Sequence, residues 1–193
     1  MSRTTAATIA IITAGVILAA ALAAPAQQQP GAYLPIVLKP GTPTLLDNGD
    51  FEQGTLHWSD PGGFITDAVP AGIAAHSGTH LAWLHATAGA QFTRNLQVPA
   101  DKPVLSYWIW IRSTEPTCGD DIGGVGFSGV SPPAVDTFDL CADTATNGWV
   151  NRTVDLSAAA GQSVGTLIFS IGAFDESVAT SDLFIDDVGF QAR

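Results

Sequence analysis

From Leu45 onward the chain is made of short apolar runs rich in Val, Ile, Phe, Trp and Thr, separated by Gly, Pro, Asp and Asn. No stretch keeps a helical apolar period over three turns, so the runs predict strands. They fall at 63–68, 79–85, 90–98, 104–113, 122–128, 137–141, 149–155, 163–174 and 181–191, with at most one helical turn at Ala158-Ala159-Ala160. The expected architecture is all-β, one sandwich of about eight to ten strands around a single core. Strand 104–113 is the most informative. Its period of two puts Leu105, Tyr107, Ile109 and Ile111 on one face and Ser106, Trp108, Trp110 and Arg112 on the other. The first set predicts a core face. The second sets two indoles beside a guanidinium, the flat apolar surface with a polar rim that suits a sugar ring. The competing reading is that a loop or the linker covers both tryptophans.

The beginning of the chain has a different pattern. Arg3 precedes an uncharged stretch, Thr4 to Ala24, dominated by Ala, Ile, Val and Leu, and small residues follow it. This reads as a secretory signal peptide over residues 1–26, cut after Ala26. An uncleaved anchor is the alternative, because the stretch approaches the ~20 residues that a membrane span needs. Residues 27–44 hold four prolines and two glycines and read as an extended linker, which leaves 45–193 as the sandwich domain.

Charge and cysteine usage narrow the compartment and partners. The formal net charge is −11, and loss of Arg3 with the leader makes it −12; Lys39 and Lys102 are the two lysines. So acidic a surface disfavours nucleic acid and anionic membrane, and is compatible with divalent cations or neutral partners such as glycans. Cys118 and Cys141, an even count in an exported chain, predict one disulfide. The expected location is secreted or cell-surface, with no membrane attachment once the signal is removed.

Several catalytic signatures are missing from the sequence. No zinc-protease helix motif or Walker loop occurs, and Gly126-Phe127-Ser128-Gly129 lacks the glycine spacing of a nucleophile elbow. Acid pairs occur at Asp120-Asp121, Asp175-Glu176 and Asp186-Asp187. Alternation sends neighbours in a strand to opposite faces, whereas glycoside hydrolysis needs two carboxylates facing one bond. The chain is therefore expected not to be an enzyme.

A set of motifs in order carries a family resemblance. Asn48-Gly49-Asp50-Phe51-Glu52 with Trp58, Ser77-Gly78-Thr79 leading into Ala82-Trp83-Leu84, Gln97-Val98-Pro99-Ala100, Trp149, Val154-Asp155-Leu156-Ser157, Ala160-Gly161-Gln162 and Phe184-Ile185-Asp186-Asp187-Val188 resemble the galactose-binding-like jelly rolls. These include many carbohydrate-binding modules and extracellular modules of bacterial hydrolases and proteases. The resemblance covers about Leu45 to Phe190 and implies a jelly-roll β-sandwich. It also implies a structural calcium, with Glu52 and Asp186 as carboxylate ligands and backbone carbonyls near Gly49 and Gly78; calcium accepts six to eight oxygens in irregular geometry. The alternative for these acids is turn capping or pairing with Arg94 or Arg152.

The expected function is that of a secreted, noncatalytic, calcium-stabilised module binding a glycan or another extracellular ligand through Trp108, Trp110 and Arg112. The alternative is a structural or adhesive envelope protein that engages a protein partner.

Overall fold

The structure, a computed structural model, describes residues 42–85, 90–129, 134–162, 164–173 and 181–193. The expected signal peptide and most of the linker lie outside the described residues. The strands are β1 (Thr44–Leu45), β2 (Ile65–Thr66), β3 (Leu81–His85), β4 (Ala90–Leu96), β5 (Val104–Ser113), β6 (Asp121–Phe127), β7 (Ala134–Asp139), β8 (Val150–Asp155), β9 (Gly165–Ala173) and β10 (Ser181–Gln191). They form two antiparallel sheets. One runs β2-β3-β10-β5-β8 with β1 added on β10, and the other runs β4-β9-β6-β7. The helical turn expected at 158–160 is a single 3₁₀ turn, Ser157–Ala159.

Strand alternation explains the core. Leu105, Tyr107, Ile109 and Ile111 of β5 are all buried, as are Leu183 and Ile185 of β10 and Ala82 and Leu84 of β3. Opposite them lie Phe92, Val125, Phe127, Phe169 and Ile171 of the second sheet, within one apolar cluster. Near one end of the core, Phe51, Trp58, Phe92 and Phe169 pack with ring centroids 5.1–6.3 Å apart. The Asn48-Gly49-Asp50-Phe51-Glu52 turn delivers Phe51 there. Asn48 is 3% exposed. Its amide donates to the carbonyls of Gly54 and Leu56, its Oδ1 accepts from the Gln53 N–H, and its own carbonyl accepts from the Trp58 indole.

Cys118 and Cys141 are bonded, with their α-carbons 5.1 Å apart and a sequence separation of 23. Closing a loop of that length stabilises the fold by about 3 kcal/mol in the chain-entropy account. Asp121, which opens β6 within this loop, is 1% exposed, and neither of its carboxylate oxygens has a hydrogen-bond partner among the described residues.

The register across the first sheet decides what its outer face presents. Phe184 of β10 lies between Trp83 of β3 and Trp110 of β5, and Asp182 lies between His85 and Arg112. Two cross-strand rows therefore stand side by side, one aromatic and one ionic.

Candidate ligand-binding site

In the ionic row, Arg112 donates from Nε and Nη2 to Oδ2 of Asp182, at 2.9 and 2.7 Å. Oδ1 of the same carboxylate accepts the Trp83 indole N–H at 2.8 Å and lies 3.1 Å from His85 Nδ1. With its carboxylate only 10% exposed and its charge met by a guanidinium, Asp182 is a rigid anchor. Beneath it Phe184 is fully buried, with Trp83 stacked 5.9 Å away and the Arg112 guanidinium 5.6 Å from its ring centroid.

Beside these rows a cleft of about 270 Å³ opens over β5. Trp110, Arg112 and the neighbouring backbone of Ile111 and Ser113 form one side, Ala71, Gly72 and Ile73 of the β2–β3 loop another, and Ala145 and Asn147 a third. Asn147 adopts a left-handed conformation, φ +51°. Its side chain has no hydrogen bond among the described residues, and neither has Nη1 of Arg112. An indole, a tethered guanidinium and a free amide thus converge on one opening.

Trp108 is placed differently from Trp110. The His76 ring stacks on it at 3.9 Å and 19°, and His76 also meets Trp149 edge-on at 5.8 Å. The Trp149 indole donates to the Ala74 carbonyl at 3.0 Å, so the β2–β3 loop rests on the sheet from Ala74 to His76. Of the three side chains expected to form the platform, Trp110 and Arg112 line the cleft and Trp108 lies under the loop.

The carboxylates expected to bind calcium both hold that same loop. Asp186 is fully buried and accepts the N–H groups of His76 and Ser77 on Oδ2, and that of Asp187 on Oδ1. Glu52 accepts the N–H groups of Thr79 and His80 on Oε1 and the Thr79 hydroxyl on Oε2. Between the two lies Gly78, φ +58°, where a Cβ would fall 2.3 Å from Cδ of Glu52. Gly49 is equally constrained: a Cβ there would lie 2.1 Å from the Val188 carbonyl oxygen, and its own carbonyl accepts the Val188 N–H. Backbone hydrogen bonds from His80 and then Thr79 lower the Glu52 pKa, whereas burial raises that of Asp186 to about 7.

What these carboxylates could offer a hard cation is limited to the lone pairs that the loop leaves unused. A carboxylate has about four lone-pair sites, so three accepted hydrogen bonds leave about one on Asp186 and one on Glu52. A divalent ion would also relieve the desolvation that opposes ionisation of Asp186. Among the described residues no cluster of three or more Asp, Glu, His or Cys side chains gathers, so backbone oxygens would have to complete such a shell.

Asp186 and Asp187 depart from the simple alternation that would send them to opposite faces. The β10 register shifts between Asp186 and Gly189, and Asp187 is left-handed, φ +49°. The bulge turns both acids to one loop: Asp187 accepts the Ser77 hydroxyl at 2.7 Å and lies 2.5 Å from His76 Nδ1.

Sequence reasoning gives no site role to Asp182, Asn147 or the Ala71–Ile73 wall, and Gly78 and the β pattern argue against His76 as a helical metal ligand with His80. Asp182 could have been noticed as an acid two residues before Phe184, ahead of the apolar run Leu183-Phe184-Ile185. The other positions depend on where loops land.

In fold the sandwich is similar to a family 61 carbohydrate-binding module solved with β-1,4-galactotriose, at 17% identity over 79% of this chain and 100% of that one, TM-score 0.51. It is also similar to a family 16 carbohydrate-binding module (20% identity, 76% and 99% coverage, TM-score 0.48). A third is the K3 adhesin domain of Lys-gingipain from Porphyromonas gingivalis (17% identity, 80% and 99% coverage, TM-score 0.48). At such identities the likeness is one of fold. No family model and no curated protein matches the chain.

Proposed function

We infer that this jelly roll is a noncatalytic module that works outside the cell and binds a glycan in the cleft beside Trp110 and Arg112. The observation that carries the reading is the cleft's composition: an indole and a fixed guanidinium meet a free amide, and among the described residues no carboxylate, histidine or cysteine lines it. Sugar recognition uses such a flat apolar surface with a few polar groups at its rim, whereas hydrolysis would need two acids there. The carbohydrate-binding-module fold and the galactotriose bound to one such module support the same reading. The disulfide fits an oxidising compartment. No helix among the described residues is long and apolar enough to cross a membrane.

Glu52 and Asp186, with backbone carbonyls near Gly49 and Gly78, hold a structural calcium ion in this reading and fix the segment from His76 to His80. That segment continues into the loop walling the cleft. A glycan array probed with the domain, with and without chelator, tests the function; retention of no glycan under either condition would turn the assignment to the protein-partner alternative. Chelation should lower the melting temperature and added calcium restore it, because a ligand bound to the native state alone stabilises by mass action. Glu52→Gln and Asp186→Asn should lose that response, and variants answering calcium like the parent would remove the metal assignment.

A further inference from the structure

Resting on the glycan-binding reading above, we propose that the cleft takes one neutral pyranose ring at the end of a glycan chain, held by Trp110, Nη1 of Arg112 and the Asn147 amide. Three observations lead there. The first is size: about 270 Å³ lies below the roughly 300–1,000 Å³ of sites that enclose drug-sized ligands and is on the scale of a single ring.

The second is obstruction. A chain bound through its interior needs an open path on both sides of the central ring. Along β5 from Trp110, the path towards Trp108 is stopped by the His76 ring stacked on that indole, and by Ala74 hydrogen-bonded to Trp149. A glycan lying along β5 therefore cannot extend past Trp110 towards Trp108.

The third is charge. Arg112 already has its ion-pair partner in Asp182, whose other oxygen is engaged by Trp83 and His85. A uronate would meet a guanidinium whose charge Asp182 already neutralises, and would approach a chain of net charge −11. A neutral sugar meets no such repulsion, and its hydroxyls can accept from Nη1 and both accept from and donate to the amide. Asp182 acts here as a positioning residue, aiming Arg112 without contact with the sugar.

Calorimetric titration with oligosaccharide ladders of one to six units tests this, using β-1,4-galactose, β-1,4-glucose and α-1,4-galacturonate series. The expected result is that a neutral series binds with an affinity that changes by less than about threefold beyond the disaccharide, and that galacturonates bind at least about tenfold more weakly. Asn147→Gly, which suits the left-handed backbone and removes the amide, should weaken the monosaccharide about tenfold with an unchanged melting curve. Affinity that climbs with each unit to the hexasaccharide, or a preference for galacturonates, would overturn the chain-end proposal and leave glycan binding standing. Binding to none of the three series, together with no glycan retained on the array, would overturn both.

Discussion

Replacement of Trp110 by alanine is expected to weaken glycan binding by about 2 kcal/mol or more, roughly thirtyfold in Kd, while leaving the melting temperature close to that of the parent. The indole forms part of the cleft wall, so its loss removes a stacking surface from the ligand. Within the protein, its described ring contact is edge-on to Trp149 at 6.0 Å, and the floor beneath, Phe184, stays covered by Trp83 and Arg112. Trp108→Ala should do the reverse. Its ring supports His76, and through His76 the clasp on Asp187 and the loop, so truncation leaves a void under that loop and lowers the melting temperature. Titration and thermal melts on both variants separate the roles. Equal loss of binding in two variants that melt like the parent would mean that Trp108 contacts the ligand directly, and that the loop moves aside to let it.

The difference between these two tryptophans also marks what the sequence could disclose. Alternation along β5 is a local property, and it separated the core residues from the outer residues correctly: Tyr107 and Ile109 are buried, and Trp108 and Trp110 face outward. The disulfide was legible from cysteine parity and compartment. The covering of Trp108 was not, because His76 lies 32 positions earlier and reaches it only when the Asp186–Asp187 bulge captures His76 and Ser77. A bulge breaks the period-two rule without any distinctive residue type, since an Asp-Asp pair in a strand reads the same with or without it. Asn147 was hidden for a related reason: its role follows from a left-handed turn ahead of β8 that brings it opposite Ala71–Ile73. What local chemistry dictates was readable, and what long-range loop docking dictates was not.

The second large effect is on the fold itself and concerns Asp136. This residue sits on β7, at the edge of the second sheet, and Arg152 on β8, at the corresponding edge of the first. Arg152 donates from Nε and Nη2 to the two oxygens of Asp136 at 2.7 and 2.6 Å, and the Tyr107 hydroxyl donates to Oδ2 at 2.5 Å. Arg152 also lies over Phe138, 4.9 Å from the ring centroid. One carboxylate therefore ties β5 and β8 to β7 and closes the open side of the sandwich. Burial, followed by Asp136, pushes the Tyr107 phenol above its ordinary range, so it remains a donor at every pH where the domain would be used. The hydrogen bond to Asp136 likewise raises the pKa of Arg152 and keeps it charged. Asp136→Ala would leave a buried hydroxyl and a partly buried guanidinium without their acceptor, and should cost about 2–4 kcal/mol. Tyr107→Phe should cost only about 1 kcal/mol, because Asp136 keeps both bonds to Arg152. In urea denaturation the double variant should then cost less than the sum of the two, since once Asp136 is gone the hydroxyl has no partner left to lose. Strict additivity, or an Asp136→Ala variant within about 0.5 kcal/mol of the parent, would show that apolar packing between the sheets holds this edge without the clamp.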